Sequence, residues 1–122
     1  MAGRVVPAGS GRIAFAERHA RAWGATVALK GAVTIVTDGK KTFVHDLPNP
    51  TLGIGGSGDV LGGAVAAFLA RGLAPLAAAC AAVWIHGRAG ALLASEIGES
   101  GALASDIADA LPRALREILR AS

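Results

Sequence analysis

The spacing of apolar residues predicts a helix and then three short strands in the first part of this chain. Apolar residues fall on one helical face over residues 12–23, and Gly24 follows as a stop. Short runs of β-branched and apolar residues follow at 26–29, 34–37 and 41–45. Asp38-Gly39 between the last two runs is a tight-turn signal, so we predict that these two strands form a hairpin.

Apolar helical patterns dominate the rest of the chain. A helix over residues 59–70 has almost no polar side chains except at its ends, so it should be buried on most sides. Pro75 can begin a second helix that runs to about residue 97. Its predicted apolar stripe comprises Leu76, Cys80, Val83, Trp84 and Ala91.

A last helix is predicted from an N-cap at Ser105, with Pro112 kinking or restarting it. Its apolar stripe comprises Ile107, Leu111, Leu115 and Ile118. The sequence therefore predicts an α/β protein whose strands come before its apolar helices. So few strands cannot form the sheet that this much apolar helix surface would cover.

A glycine-rich segment precedes the first of these apolar helices and carries the clearest chemistry. Gly53, Gly55, Gly56 and Gly58 allow the backbone to approach a ligand closely, and their N–H groups can converge on an anion. The start of the helix adds the positive end of its dipole. Asp59 lies where the loop becomes helix, so the pattern indicates phosphate chemistry with a nearby base.

Other glycine motifs fit this segment less well. A dinucleotide fold would need a strand directly before Gly53 and an acidic residue about 20 positions later, which the chain lacks. A protein-kinase glycine loop lies between strands, whereas a helix follows here. A Walker A loop needs Gly-Lys-Ser/Thr, which is absent. A simple glycine turn that caps a helix, with Asp59 at its N-terminus, stays open as an alternative.

Composition narrows the function classes. The 122 residues allow one domain at most, and 52 % apolar residues can form a core. The net charge of +3 is scattered along the chain without the basic and aromatic clusters of nucleic-acid-binding proteins. Residues 1–12 lack the apolar segment of a secretory signal, and no uninterrupted apolar run of membrane-spanning length occurs. We therefore expect a cytoplasmic protein that binds neither membrane nor nucleic acid.

Histidine and cysteine add no sign of a metal site. The histidines, the single Cys80 and the acidic residues show no metal-ligand spacing. Cys80 lies among alanines and should be a small buried residue. His86 lies in an apolar helix, where a packed or hydrogen-bonded core histidine is the more common case. Any Mg²⁺ would arrive bound to nucleotide phosphates and need few protein ligands.

Several motifs stand in a fixed order around the glycine loop: Leu29-Lys30-Gly31-Ala32-Val33-Thr34, Asn49-Pro50, Gly55-Gly56-Ser57-Gly58-Asp59, His86-Gly87 and Ala104-Ser105-Asp106. Together they resemble the C-terminal half of the ADP/ATP-dependent (S)-NAD(P)H-hydrate dehydratases of the ribokinase-like superfamily. The resemblance runs from about residue 14 to residue 119. It implies the C-terminal portion of a three-layer α/β/α fold. Residues 1–122 would then form one partial domain, with a loose leader at 1–11 and the family's carbohydrate-kinase-type domain over 12–122.

The resemblance also implies a reaction and roles for its residues. In the family, the terminal phosphoryl group of ADP or ATP is transferred to the hydroxyl of the hydrated nicotinamide ring. Phosphate then leaves and the ring double bond returns. By this resemblance, Asp59 is the catalytic base and contacts the hydrated cofactor, and the N–H groups of Gly56, Ser57 and Gly58 form the anion hole. The nucleotide is expected to contact Lys30, Gly31, Ala32, Val33, Thr34 and Gly58.

The implied co-substrates are ADP or ATP with nucleotide-bound Mg²⁺, and the substrates are hydrated NADH and NADPH. The family often forms homo-oligomers and can be paired with an NAD(P)H-hydrate epimerase. Complete members are much longer, so we expect a truncated form with little turnover alone but weak ADP binding. A ribokinase-like small-molecule kinase and a catalytically inactive nucleotide-binding remnant stay open as alternative functions.

Overall fold

The computed structural model describes residues 11–46 and 50–121, which belong to two compact units, 1–46 and 47–122. We describe each unit by itself. The predicted leader lies outside the described residues except at its last position, as does Asn49 of the Asn-Pro motif. The assignment of the whole chain to one partial domain stays a prediction.

The first unit packs one helix on a small antiparallel sheet. Helix α1 (Gly11–Trp23) is followed by β1 (Val27–Leu29), β2 (Thr34–Thr37) and β3 (Thr42–His45), in the sheet order β1-β2-β3. The central strand β2 is buried along its whole length, and Ala16 and Ala20 of α1 are fully buried. The predicted helix, strands and hairpin are therefore confirmed: three of the four elements start one residue away from the prediction, and all four end where predicted.

Short-range hydrogen bonds explain the hairpin turn. The Asp38 carboxylate oxygen Oδ1 accepts from the N–H groups of Lys40 and Lys41, both at 2.8 Å. These two hydrogen bonds lower the pKa of Asp38 because they favour its charged form, and the bond from Lys41 has the larger effect. Gly39 takes the positive φ of 91° that the turn requires. Arg21 of α1 donates to the Gly39 carbonyl at 2.9 Å, which ties the turn to the helix.

The second unit places one long helix between two others. After a short 3-10 helix (Pro50–Leu52) come α2 (Ser57–Ala70), α3 (Pro75–Ile97) and α4 (Ala104–Ala121). Helix α3 packs against both α2 and α4. The core between α3 and α4 comprises Ile85, Ala89, Leu93, Ala102, Ile107, Ala110 and Ala114. The predicted stripe on α4 is confirmed, since Leu111, Leu115 and Ile118 pack against this core around buried Ile107.

The prediction that α2 is buried on most sides is wrong for the described chain. Only Ser57 and Leu61 of this helix are buried. Most of its other residues are small and apolar, and they remain exposed or half-buried within the described part of the unit. The stripe predicted for α3 is also partly wrong, because Trp84 is 53 % exposed and Ala91 is exposed as well. For α2 and α3, hydrophobic composition predicted burial but did not indicate which face of each helix packs against another element.

The start of α4 differs from the prediction as well. Ser105 is not the N-cap, because the helix already begins at Ala104. Asp106 takes the capping role: its carboxylate accepts from the Leu103 N–H at 2.8 Å, while its own N–H donates to the Leu103 carbonyl at 3.0 Å. Pro112 lies inside the continuous helix and does not restart it.

We expect Gly62→Ala in α2 to stabilise the chain by about 0.8–1 kcal/mol, because alanine loses less backbone entropy than glycine in a helix. A Cβ at Gly62 would meet no atom within 4 Å in the described structure. Chemical unfolding of the two proteins measures the difference, and Gly63→Ala, with equally open surroundings, is the replicate. A loss of stability in both variants would mean that this face is covered in solution.

Helix α3 is the one helix in the described ranges with the length and apolar composition to cross a membrane. Half of its most apolar window is buried inside the unit. A core helix passes the same test of length and composition, and the contacts of α3 with α2 and α4 account for its apolar character.

Candidate functional site

The glycine loop ends in a tight left-handed turn that begins α2. Gly56 is the N-cap residue, with φ 86° and ψ −10°, a conformation that side chains disfavour. Its carbonyl accepts from the N–H groups of Asp59 and Val60 at 3.1 and 3.2 Å. The N–H of Ser57 donates to the Ile54 carbonyl at 3.2 Å. The first turn of α2 is therefore held by its own backbone.

Two helices support this turn from the inner side. Ser57 is 1 % exposed and His86 of α3 is 3 % exposed. The Nε2 atom of His86 lies 3.1 Å from both the hydroxyl and the carbonyl oxygen of Ser57. At Gly56, a Cβ would lie 2.9 Å from the Cβ of Ala104, the first residue of α4. The expectation of a buried, hydrogen-bonded His86 is confirmed.

The outer side of the loop is open to solvent. Gly55, Gly56, Gly58 and Asp59 are all exposed. Within the described residues, the N–H groups of Gly56 and Gly58 meet no backbone acceptor. Of the three predicted anion-hole donors, Ser57 differs because its N–H is already used inside the turn. Two N–H donors, a helix N-terminus and one carboxylate thus stand together at an exposed turn.

The predicted nucleotide-contacting segment, residues 30–34, belongs to the first unit. Lys30, Gly31 and Ala32 are exposed, whereas Thr34 is 9 % exposed at the start of β2. These residues therefore form one continuous segment, and the glycine loop belongs to the second unit. Each of the two groups of predicted site residues is assembled within its own unit.

Arg12 of α1 holds this segment, a role that the sequence did not indicate. Its guanidinium donates to the carbonyls of Val33, Lys30 and Leu29 at 2.6, 3.1 and 3.3 Å. A Cβ on Gly31 would lie 2.7 Å from Nη2 of Arg12, so the glycine admits the guanidinium at this point. The bonds join residues 17 to 21 positions apart, for which local sequence carries no signal.

Comparison with known proteins agrees with the motifs around this loop. The family model described as NAD(P)H-hydrate dehydratase matches residues 1–113. The chain belongs to the NAD(P)H-hydrate dehydratase family. The resemblance found in the motifs is therefore confirmed. Among its relatives, the ADP-dependent (S)-NAD(P)H-hydrate dehydratase of Cenarchaeum symbiosum is 39 % identical over 106 residues, which cover 87 % of this chain and 37 % of the relative.

A second group of relatives in this family is named as bifunctional repair enzymes. The bifunctional NAD(P)H-hydrate repair enzyme Nnr of Vibrio cholerae is 42 % identical over 108 residues, which cover 88 % of this chain and 21 % of the relative. The chain therefore spans about one fifth to two fifths of the length of these relatives. Family membership is shown for the chain, while the activity of the longer proteins is not carried over with it.

Solved structures confirm the predicted α/β ribokinase-like class for this family member. YxkO of Bacillus subtilis, a member of the UPF0031 family, superposes with a TM-score of 0.81 at 28 % identity and covers 87 % of this chain and 40 % of its own. The hydroxyethylthiazole kinase protein of Pyrococcus horikoshii superposes with a TM-score of 0.75 at 30 % identity, covering 83 % and 40 %.

Metal-ligating side chains are scattered in the described part of this family member. Its described residues contain no cluster of three or more histidine, cysteine, aspartate or glutamate side chains that could hold an ion. Asp59 is a lone exposed carboxylate at the loop. Cys80 is partly buried, and burial raises the pKa of its thiol, so it is a weak nucleophile.

Proposed function

We infer that this chain provides the phosphate-holding loop and the base of an ADP-dependent (S)-NAD(P)H-hydrate dehydratase. The observation that carries this function is the exposed turn at Gly56 and Gly58, whose N–H groups stand at the N-terminus of α2 beside Asp59. Relatives named ADP-dependent (S)-NAD(P)H-hydrate dehydratase share 39 % to 40 % of the aligned residues with this chain, which supports the assignment.

The proposed chemistry begins with transfer of the terminal phosphoryl group of ADP to the ring hydroxyl of the hydrated nicotinamide. The hydroxyl oxygen attacks phosphorus, its proton passes to Asp59, and AMP is the leaving group. The ring carbon–oxygen bond then breaks, phosphate departs, and loss of a proton from the neighbouring carbon restores the double bond. Phosphoryl transfer depends mainly on positioning and on charge stabilisation. The N–H groups of Gly56 and Gly58 supply that stabilisation, and Ser57 keeps the turn in shape.

The proposed nucleotide contacts are Lys30, Gly31, Ala32, Val33 and Thr34, with Gly58 at the phosphates. Lys30 is a cation for a phosphate, and Arg12 keeps the backbone of this segment in place. Mg²⁺ is proposed as an ion bound to the nucleotide, which neutralises phosphate charge when present. We also propose that the protein is cytoplasmic and homo-oligomeric, and that it acts on the product of an epimerase.

A second candidate is a ribokinase-like kinase for a small alcohol, supported by the similarity to the hydroxyethylthiazole kinase protein. Such an enzyme would use the same loop and the same carboxylate, but the phosphorylated alcohol would be its final product. The family assignment favours the dehydratase, because the matching family model is that of the dehydratases.

The test is ADP binding together with recovery of NADH absorbance from hydrated NADH. We expect the purified chain to bind ADP weakly and to show little turnover alone. Hydrated NADH and a thiazole alcohol are offered in parallel with ADP or ATP and Mg²⁺, and AMP, ADP and phosphate are measured. A phosphorylated alcohol would support the kinase instead. Failure of a folded chain to bind either nucleotide would contradict both candidates and also the inactive nucleotide-binding remnant, whose mark is ADP binding without chemistry.

A further inference from the structure

The buried side chain of His86 contacts the glycine loop from inside the second unit. It comes from the middle of α3, 29 residues away from Ser57 in sequence, and its Nε2 reaches Ser57 at 3.1 Å. The reaction proposed above assigns no task to this histidine. The ring is 3 % exposed and meets its hydrogen-bonding need at Ser57, the first residue of α2.

The peptide unit between Ser57 and Gly58 links this histidine to the open side of the loop. The Ser57 carbonyl and the Gly58 N–H belong to one planar group. The described backbone has no cis peptide bond, so in this group the carbonyl and the N–H point in opposite directions. The carbonyl oxygen lies 3.1 Å from Nε2 of the buried His86, and the Gly58 N–H on the opposite side of this peptide is directed toward the N-terminus of α2, where the turn is exposed.

We propose that His86 is a positioning residue, which holds the Ser57–Gly58 peptide so that the Gly58 N–H is aimed at an anionic phosphate group. In this role Nε2 carries the proton and donates to the Ser57 carbonyl, with the Ser57 hydroxyl as the second oxygen within reach. The Ser57 carbonyl has two lone pairs, so it can also accept within the helix. A hydrogen bond at a carbonyl polarises its peptide and strengthens the N–H as a donor.

The identity of the anion as a nucleotide phosphate rests on the proposed function, whereas the geometry of the Ser57–Gly58 peptide does not.

Glutamine is the discriminating substitution at His86, because its amide nitrogen can replace Nε2 as a donor to the Ser57 carbonyl. Leucine fills similar space without a donor. His19→Gln is the matched control, since His19 lies in α1 of the other unit and bonds to the Phe15 carbonyl.

The experiment titrates ADP, and separately inorganic phosphate, into the full chain and its variants, with the Gly58 amide signal followed by NMR. Nitrogen NMR of the wild-type ring identifies the protonated nitrogen. We expect a proton on Nε2, about tenfold weaker ADP binding in His86→Leu, and binding within about threefold of wild type in His86→Gln and His19→Gln. Thermal melting sets a temperature at which all variants are folded.

Equal loss of binding in the leucine and glutamine variants would overturn the proposal, as would a wild-type ring protonated on Nδ1. If the wild-type chain binds neither ADP nor phosphate, the proposed function fails, and the peptide geometry is decided separately. A Gly58 amide signal that moves in His86→Leu and returns toward its wild-type position in His86→Gln then supports the positioning role. An amide signal that is unchanged in His86→Leu refutes it.

Discussion

Asp59→Asn should lower the rate at which hydrated NADH is restored by about 10²–10⁴-fold, which is the usual contribution of a positioned general base. Asparagine has nearly the same shape and can still accept a hydrogen bond, but it takes up no proton. The side chain is exposed in the first turn of α2, so the substitution removes no buried contact. Loss of a charge at a helix N-terminus costs only about 0.3–1 kcal/mol of stability.

The ADP affinity of Asp59→Asn is a second measurement, independent of the reaction rate, and it can be made even where turnover is low. We expect Asp59→Asn to bind ADP as tightly as the wild type or more tightly, because a negative charge beside the phosphates is gone. Asp109→Asn is the matched control, since Asp109 is an exposed carboxylate on α4. A variant whose turnover stays within about threefold of the wild type would exclude Asp59 as the base.

Gly56→Ala should destabilise the second unit by about 2–5 kcal/mol, the sum of a strain and a packing contribution. Alanine at a φ of 86° accounts for about 1–2 kcal/mol of this, because its Cβ crowds the following carbonyl. The new Cβ would also lie 2.9 Å from the Cβ of Ala104, which is fixed to the backbone of α4. Overpacking of this kind costs about 1–3 kcal/mol. Each kcal/mol lowers the Tm of a small domain by about 4–8 °C.

Two other glycines separate these contributions. Gly72 has a φ of 96°, and a Cβ added there would meet no atom within 4 Å, so Gly72→Ala measures the backbone strain without the clash. Gly55 has neither feature, and Gly55→Ala should change stability by less than about 0.5 kcal/mol. Chemical unfolding of the three variants gives the comparison. If Gly56→Ala is no worse than Gly72→Ala, the contact of the loop with α4 is not tight.

The hairpin, the start of α3 and the family motifs could be predicted from the sequence because each depends on near neighbours. Asp38-Gly39 defines its turn through hydrogen bonds across two or three residues. Pro75 begins α3 because a proline loses no hydrogen bond in the first turn of a helix. The glycine loop and Asp59 are likewise close together in sequence, so phosphate binding at this loop could be suggested from the sequence alone.

The N-cap of α4 shows how narrow that local information is. Residue preference predicted the N-cap at Ser105, which is the second residue of the helix in the structure. In the structure, Leu103 occupies the cap position, and the Asp106 side chain reaches back to its N–H. The predicted and observed cap positions therefore differ by two residues, and this difference determines which side chain accepts a backbone hydrogen bond at the start of α4.

The sequence by itself determined the order of the elements and the family, and it suggested the residues that could hold a phosphate. Only the tertiary structure decided that His86 hydrogen-bonds to Ser57 in the glycine turn and that Arg12 hydrogen-bonds to the carbonyls of Leu29, Lys30 and Val33. It also left most of α2 exposed, although its composition predicted burial. These outcomes depend on which helix faces packed together, and a hydrophobic pattern states that a face is apolar without stating what will cover it.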